Sequence, residues 1–223
     1  ISFATAYFLY RLYIGKSGYE PSSVDFFRGW GLDLSFLTIP TQGVFWIADL
    51  SGMSWRRSEK EYFGDSSVWW TSFALPILAL GFLAWYRGKK QASLSSALLM
   101  IAILGFYMAL GPSLKINSVK TAALQATPEV QGMPADAAIM STGTAWVSTH
   151  IPGFNAMRAS YRWIALCIFA CWLLVVLRMS MAEGRQRHVW TALVLIVIVL
   201  NLPEPTRKWA TYAGYRTQFQ NIV

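Results

Sequence analysis

Long runs of apolar residues alternate with polar segments along most of this chain. Four runs are long or apolar enough to predict membrane-spanning helices, namely residues 67–86, 92–111, 161–179 and 188–202. The last of them is short for a bilayer core about 30 Å thick. Residues 1–14 look like the final turns of a fifth span. The pattern predicts an all-α, polytopic helical membrane protein whose transmembrane domain covers residues 1–202.

The short segments between these runs are basic. RGKK, after the first full run, has three cations and no acid, and RMSMAEGRQRH, after the third, has three arginines and one glutamate. Short basic loops belong on the cytoplasmic side of a membrane. Alternation then predicts long outer-face loops over residues 16–66 and 112–160. It also places residues 203–223 outside, as the start of a tail or domain.

Composition strengthens the membrane interpretation. Of the 223 residues, 55% are hydrophobic and 13% are charged, whereas a soluble domain is about 25% charged. The 11 Trp, 10 Tyr and 13 Phe suit aromatic belts at the membrane surface. The net charge of +8 therefore indicates anionic membrane lipids as partners. No basic run with interleaved aromatics occurs, which argues against nucleic acid.

Two cysteines lie one helical turn apart inside the third full run. Cys167 and Cys171 are predicted to be small buried apolar side chains. A metal site would need more ligands than this neighbourhood offers.

Two arginines lie at the start of the third full run. Arg158 and Arg162 are four residues apart, so they share one face of a helix. The start of a helix carries partial positive charge, and the outer face of a membrane protein is not where cations concentrate. A phosphate would resolve both conflicts, by accepting free backbone N–H groups and pairing with the guanidinium groups. The alternative is that both side chains reach ordinary lipid phosphates.

Two further polar residues are candidates for a site. Asp33, in GLDLSFLTIP, is predicted to be a base or a metal ligand, or equally the cap of a short surface helix. His150 lies close in sequence to the arginines, although a lone histidine is more often a surface or hydrogen-bonded residue than a catalyst. The sequence has no Walker loop, paired CxxC, HExxH or GxSxG, so no metal site is indicated. The predicted spans contain almost no ionisable residues, which argues against an ion-coupled transporter.

Four segments, taken together, resemble one family. LDLSFLTIP (32–40) is similar to a DL-x-x-F-x-x-P stretch, and EKEYFGDSSVWWTSFAL (59–75) to an E-x-x-Y-x-G segment before a span. ALGPSLKIN (109–117), followed by HIPGFNAMRASYRW (150–163), resembles an LGP-x-L-x-x-N … LPGF-x-x-MR-x-P-x-R pattern. The family is that of GT-C-type bacterial integral membrane glycosyltransferases, including YfhO-like multi-spanning proteins. The resemblance spans residues 32–179.

The resemblance implies an activity. It implies transfer of a sugar from a polyprenyl-phosphate-linked donor to a cell-envelope acceptor, on the outer face of the bacterial cytoplasmic (inner) membrane. Arg158, Arg162 and His150 would bind the substrate, with both arginines on the lipid-linked phosphate. Such a transfer needs a carboxylate base and cations that stabilise the leaving phosphate. Asp33 would be a supporting catalytic acid.

The chain also departs from the family pattern. Ser160 stands where the pattern often has proline, which leaves the helix start less rigid. The family's main catalytic acid normally lies in the first outer loop, and we expect this chain to be a fragment of a longer protein that begins beyond that loop. Dependence on a divalent metal is left open for the same reason.

Two other functions stay open. One is non-enzymatic membrane transport or envelope assembly by a protein that binds lipid phosphates. The other is transport of a small molecule. An acidic residue in an upstream outer loop would favour the enzyme, and polar residues within further spans would favour the small-molecule transporter.

Overall fold

The chain is mostly helical, as the sequence predicts. A computed structural model describes residues 2–14, 22–88, 92–127, 132–151, 154 and 159–220. In these residues the helices are α1 (Ser2–Ile14), α2 (Val24–Gly29), α3 (Leu34–Thr38), α4 (Trp46–Leu50), α5 (Ser66–Trp70), α6 (Leu75–Arg87), α7 (Ala92–Leu110), α8 (Ala122–Gln125), α9 (Thr144–His150), α10 (Ile164–Ser180), α11 (Gly184–Leu200) and α12 (Pro205–Gln220). Strands β1 (Ser113–Leu114) and β2 (Met140–Ser141) pair antiparallel, with Ser113 opposite Ser141.

Helix α10 packs against both α6 and α7. The approach is close because Gly81 of α6 lies against Cys171, and Gly105 of α7 lies against the backbone of Cys167. A Cβ atom at Gly105 would come within 2.8 Å of the Cys167 backbone nitrogen. Small residues let helix backbones approach in this way. Both cysteines are buried free thiols, in agreement with their predicted role as small packing residues.

The number of helices long enough to cross a membrane is smaller than the sequence predicted. Among the described residues, two helical stretches are long and apolar enough by length and composition, Ser93–Leu110 and Ser160–Ser180. They correspond to the predicted spans 92–111 and 161–179. The prediction of four full spans and the end of a fifth is wrong in number.

The predicted span 67–86 is broken in its middle. Its residues are divided between α5 and α6, and Pro76 stands in the first turn of α6. Proline lacks a backbone N–H and disfavours the helical conformation in the residue before it. The break is held in place where the Ala74 N–H donates to the Leu37 carbonyl (3.2 Å). The remaining 13 residues of α6 cover about 20 Å, which is short of a bilayer core.

The other two predicted spans are limited by polarity and length. Helix α11 covers most of the predicted span 188–202, but it begins with the polar sequence GRQRH. Its apolar part is therefore shorter than the helix. Helix α1 covers residues 2–14 of the predicted fifth span, and its 13 residues reach only about 20 Å.

Much of the apolar surface of α7 and α10 is exposed. Only 33% of each of the two long apolar stretches is buried within the protein. Large exposed side chains on them include Ile103, Leu104, Phe169 and Val176. Soluble proteins rarely expose a continuous apolar surface of this kind. This surface is suited to contact with an apolar environment.

The predicted outer loops fold into a compact unit, which we call the loop layer. It comprises residues 22–74, 111–127 and 132–151. Backbone hydrogen bonds attach it to the ends of the long helices: the Leu32 N–H donates to the Ala109 carbonyl (2.8 Å), and the Tyr161 N–H donates to the Trp30 carbonyl (3.2 Å). Its buried side chains include Leu32, Phe36, Tyr62, Val68 and Trp69. The layer thereby holds α5 beside the start of α10.

The predicted tail, residues 203–223, begins at the loop layer. The Glu204 N–H donates to the Val44 carbonyl (3.0 Å), and α12 follows. A further domain beyond this helix stays a prediction.

Candidate functional site

Asp33 is enclosed and fully engaged by the backbone. Its side chain is only 2% exposed. One carboxylate oxygen accepts the Ser35 N–H (2.8 Å) and the Asn117 N–H (2.7 Å), and the other accepts the Ser118 N–H (2.9 Å). Asp33 thus caps α3 and fastens the segment after β1 to it. Its predicted catalytic role stays a prediction.

Several cations of the loop layer are buried and bind backbone carbonyls. They are Arg28, Arg57, Lys115 and Lys120. Arg57, for example, donates to the Ile39 and Ser35 carbonyls at 3.0 and 3.2 Å. Its guanidinium also lies 4.9 Å from the centre of the Phe36 ring. Such contacts hold loop segments together.

Lys115 has the most perturbed environment of these cations. Its Nζ atom donates to the Arg28 carbonyl (2.5 Å) and the Gly31 carbonyl (2.7 Å). Burial lowers the pKa of Lys115 to about 7, although the nearby Asp33 carboxylate acts in the opposite direction. The sequence showed this residue only as one lysine in LGPSLKIN, and its burial depends on segments more than 80 residues away.

A pH dependence of stability follows from Lys115. Between about pH 7 and its ordinary pKa of 10.5, the folded chain binds fewer protons here than the unfolded chain. The free energy of unfolding is therefore expected to rise as pH increases through this window. Thermal unfolding from pH 6 to pH 10 would measure the slope. Lys115→Met is expected to flatten it, whereas Lys60→Met, at an exposed position, is expected to leave it unchanged. Equal slopes in all three proteins would contradict this account.

Arg162 is exposed at the start of α10 and belongs to a hydrogen-bonded group of side chains. Its Nε atom donates to the Tyr161 hydroxyl (3.4 Å), which donates to the Ser67 hydroxyl (2.7 Å). Ser67 in turn donates to the Asp65 carboxylate (2.5 Å). We call these four residues the Arg162 cluster. It joins the α10 start to the cap of α5.

The Arg162 cluster is buried at its centre and reaches the surface at Arg162. Tyr161 is 3% exposed, and its ring packs in the main hydrophobic core. Asp65 caps α5 by accepting the Ser67 N–H (2.9 Å). The guanidinium of Arg162 projects to the surface, so the cluster presents a positioned cation where a long apolar helix begins. Such a cation is able to bind a phosphate through charge-assisted hydrogen bonds.

Of the other two predicted substrate-binding residues, the structure describes only His150. Arg158 lies outside the described residues. His150 ends α9 and is exposed, with its Nδ1 within 2.7 Å of the Thr149 hydroxyl and its ring stacked on Trp146 at 4.9 Å. Within the described part of the chain, its contacts stay inside its own helix. Binding of substrate by His150 and Arg162 stays a prediction.

Sequence reasoning missed three members of the Arg162 cluster. Asp65 and Ser67 form a helix-capping pattern in GDSSVWW, and that pattern was the available signal. Nothing in the sequence linked them to Tyr161, which lies 94 residues further along the chain.

The described residues contain no group of three or more His, Cys, Asp or Glu side chains placed to hold a metal ion. Comparisons with protein-family models, curated proteins and solved structures give no match for this chain.

Proposed function

We propose that this chain is part of a membrane-bound transferase. In this proposal it moves a sugar from a polyprenyl-phosphate-linked donor to a cell-envelope acceptor, on the outer face of the bacterial cytoplasmic membrane. The observation that carries the proposal is the exposed Arg162 guanidinium, held by Tyr161 at the start of a long apolar helix. In a membrane, the start of such a helix lies at the depth of the lipid phosphates, so a lipid-linked phosphate would be able to contact Arg162.

The exposed apolar surface supports a membrane location. The stretches Ser93–Leu110 and Ser160–Ser180 are long enough to cross a bilayer, and most of each stretch is not buried by the protein. Helix α11 adds exposed apolar side chains, including Leu195, Ile196 and Val199. Burying this surface in lipid would remove it from water. The orientation, with both short basic loops in the cytoplasm, is part of the proposal.

The four segments that carry the family resemblance meet in space, which also supports the proposal. Leu34 of the first donates its N–H to the Lys115 carbonyl of the third (3.0 Å). Ser67 of the second accepts the hydroxyl of Tyr161 in the fourth (2.7 Å). Segments that contribute residues to one site are expected to lie close together in the folded chain.

The residues have distinct roles in this proposal. Arg162, together with Arg158, holds the phosphate and stabilises the charge that develops on it as the sugar leaves. His150 binds the substrate nearby. Asp33 supports the site by fixing the loop layer.

Replacement of Arg162 tests the phosphate site. Arg162→Ala is expected to weaken binding of polyprenyl phosphate to the full-length protein in lipid nanodiscs by about 10- to 100-fold, because hydrogen bonds to charged groups are worth about 1.5–3 kcal/mol. Arg162→Lys should retain part of the affinity, since lysine keeps the positive charge but lacks the paired N–H donors of the guanidinium. Competition between labelled polyprenyl phosphate and unlabelled lipids would measure both.

The controls separate a specific site from general lipid contact. Arg187→Ala removes an exposed arginine near the other end of the long helices and is expected to leave the affinity unchanged. Polyprenol of the same chain length, which has no phosphate, is expected not to compete. Equal loss of binding in Arg162→Ala and Arg187→Ala would contradict the proposed site.

A non-enzymatic protein that binds lipid phosphates, in transport or envelope assembly, is the second candidate. It is favoured by the full engagement of Asp33 with backbone N–H groups, which leaves that carboxylate no free oxygen. Membranes containing the full-length protein, supplied with sugar-labelled polyprenyl-phosphate hexose, would discriminate between the two. A transferase is expected to move the labelled sugar from the lipid to a non-lipid acceptor, and this transfer should depend on Arg162. A non-enzymatic protein is expected to bind the labelled lipid without transferring the sugar.

A further inference from the structure

Asp65 differs from Asp33 in how many of its carboxylate oxygens accept hydrogen bonds. The Oδ1 atom of Asp65 accepts the Ser67 N–H (2.9 Å) and the Ser67 hydroxyl (2.5 Å). Among the described residues, its Oδ2 atom accepts no hydrogen bond. The side chain is half-buried. Asp65 is therefore held through one oxygen, and the structure leaves the other able to accept a hydrogen bond from a ligand.

The Arg162 cluster places this free oxygen at a defined position relative to a cation. Asp65 is close enough to Arg162 to interact with it electrostatically. It is not paired with Arg162 directly, since Ser67 and Tyr161 lie between them in the hydrogen-bond chain. Both bridging hydroxyls are fixed, one by the α5 cap and the other by a buried ring. The cluster thus presents a donor for an anion at one end of the hydrogen-bond chain and an acceptor for a hydroxyl at the other.

We propose that Asp65 binds a hydroxyl group of the sugar whose phosphate is held by Arg162. The site would then select a sugar-bearing phosphate lipid over the same phosphate lipid without a sugar. This inference rests on the proposed function, because it takes the Arg162 anion to be the phosphate of the donor. A hydroxyl donating to a carboxylate makes a short, charge-assisted hydrogen bond, which is stronger than one to a neutral acceptor.

A sugar-binding role of Asp65 and a purely structural role predict different changes in the binding of the two lipids. Without a sugar, the Asp65 carboxylate repels the phosphate bound at Arg162. With a sugar, its hydroxyl satisfies the free oxygen and offsets that repulsion. Removal of the carboxylate should therefore weaken binding of the sugar-bearing lipid while leaving binding of the plain phosphate lipid equal or tighter. Loss of a helix cap alone would weaken both.

The experiment compares two lipids on the full-length protein in nanodiscs. The probes are polyprenyl phosphate and polyprenyl-phosphate hexose of the same chain length. The wild-type protein is expected to bind the hexose lipid about tenfold more tightly, a difference of about 1.4 kcal/mol. Asp65→Ser keeps an oxygen that caps α5 but lacks the second oxygen, and is expected to abolish this preference. Asp65→Asn keeps the cap geometry and is expected to reduce the preference only in part.

The outcomes are distinguishable. Asp136→Ser, at an exposed carboxylate of the same loop layer, is expected to retain the preference. A tenfold preference that survives in both Asp65 variants overturns the inference. So does an equal weakening of the binding of both lipids in these variants. Absence of any preference in the wild-type protein, with phosphate binding that depends on Arg162, also overturns the inference but leaves the proposed function standing. Absence of phosphate-dependent binding overturns the proposed function itself.

Discussion

Replacement of Asp33 by alanine is expected to lower the free energy of unfolding by about 3–5 kcal/mol. The carboxylate is buried and accepts the backbone N–H groups of Ser35, Asn117 and Ser118. Its removal leaves these donors without a partner, and each unsatisfied buried group costs about 1–3 kcal/mol. A thermal unfolding midpoint roughly 10 °C lower is expected. Unfolding followed by tryptophan fluorescence in detergent would measure it.

Two further variants make this prediction specific. Asp33→Asn keeps one acceptor oxygen and is expected to fall between the wild type and Asp33→Ala. Asp136→Ala removes an exposed carboxylate and is expected to change the midpoint little. An unchanged midpoint in Asp33→Ala would show that the carboxylate does not fasten the loop layer. A folded Asp33→Asn protein that binds polyprenyl-phosphate hexose without transferring the sugar would support the catalytic role predicted from the sequence.

Replacement of Gly105 by alanine is expected to destabilise the packing of α7 against α10. The added Cβ atom would lie 2.8 Å from the Cys167 nitrogen and 3.1 Å from the Trp163 carbonyl oxygen. Both are backbone atoms, so the helices themselves must separate. Overpacking of this kind costs about 1–3 kcal/mol, which outweighs the gain of about 1 kcal/mol in helix propensity when alanine replaces glycine. Gly105→Leu is expected to cost more and to lower the yield of folded protein.

Gly214 provides a matched control for Gly105. It lies in α12, and among the described residues no atom outside the local helix backbone comes within 4 Å of an added Cβ, so Gly214→Ala gains helix propensity without a collision. Thermal unfolding of the two variants, each in the full chain, would compare them. A midpoint for Gly105→Ala equal to that for Gly214→Ala would contradict the close packing of α7 and α10.

The long helices were the most predictable part of the fold. Residues 92–111 and 161–179 are almost continuously apolar, so their helical state and their length follow from composition. The run 67–86 was just as apolar, but Pro76 and the hydrogen bond between Ala74 and Leu37 divide it. Proline was visible in the sequence. The Leu37 carbonyl, which accepts the Ala74 N–H at the break, was not predictable, because it comes from a distant loop.

The candidate site was predictable only in part. Arg162 stood out because a cation at the start of an apolar helix is unfavourable without an anion. Asp33 was considered both as an acid and as a helix cap, and the structure shows its capping contacts. Tyr161, Ser67 and Asp65 were not singled out. Their polar groups become a cluster only when the fold brings together segments separated by 94 residues.

The sequence by itself determined the helical class and the two stretches long enough to span a membrane, because both depend on properties that neighbouring residues share. Tertiary structure decided which loop charges are buried, such as Lys115, and which remain open, such as Arg162. It also decided which oxygen of Asp65 accepts the Ser67 donors and which accepts none among the described residues. The physical reason is that burial and hydrogen bonding of a polar group depend on backbone carbonyls and N–H groups contributed by distant segments, whose positions no local pattern encodes.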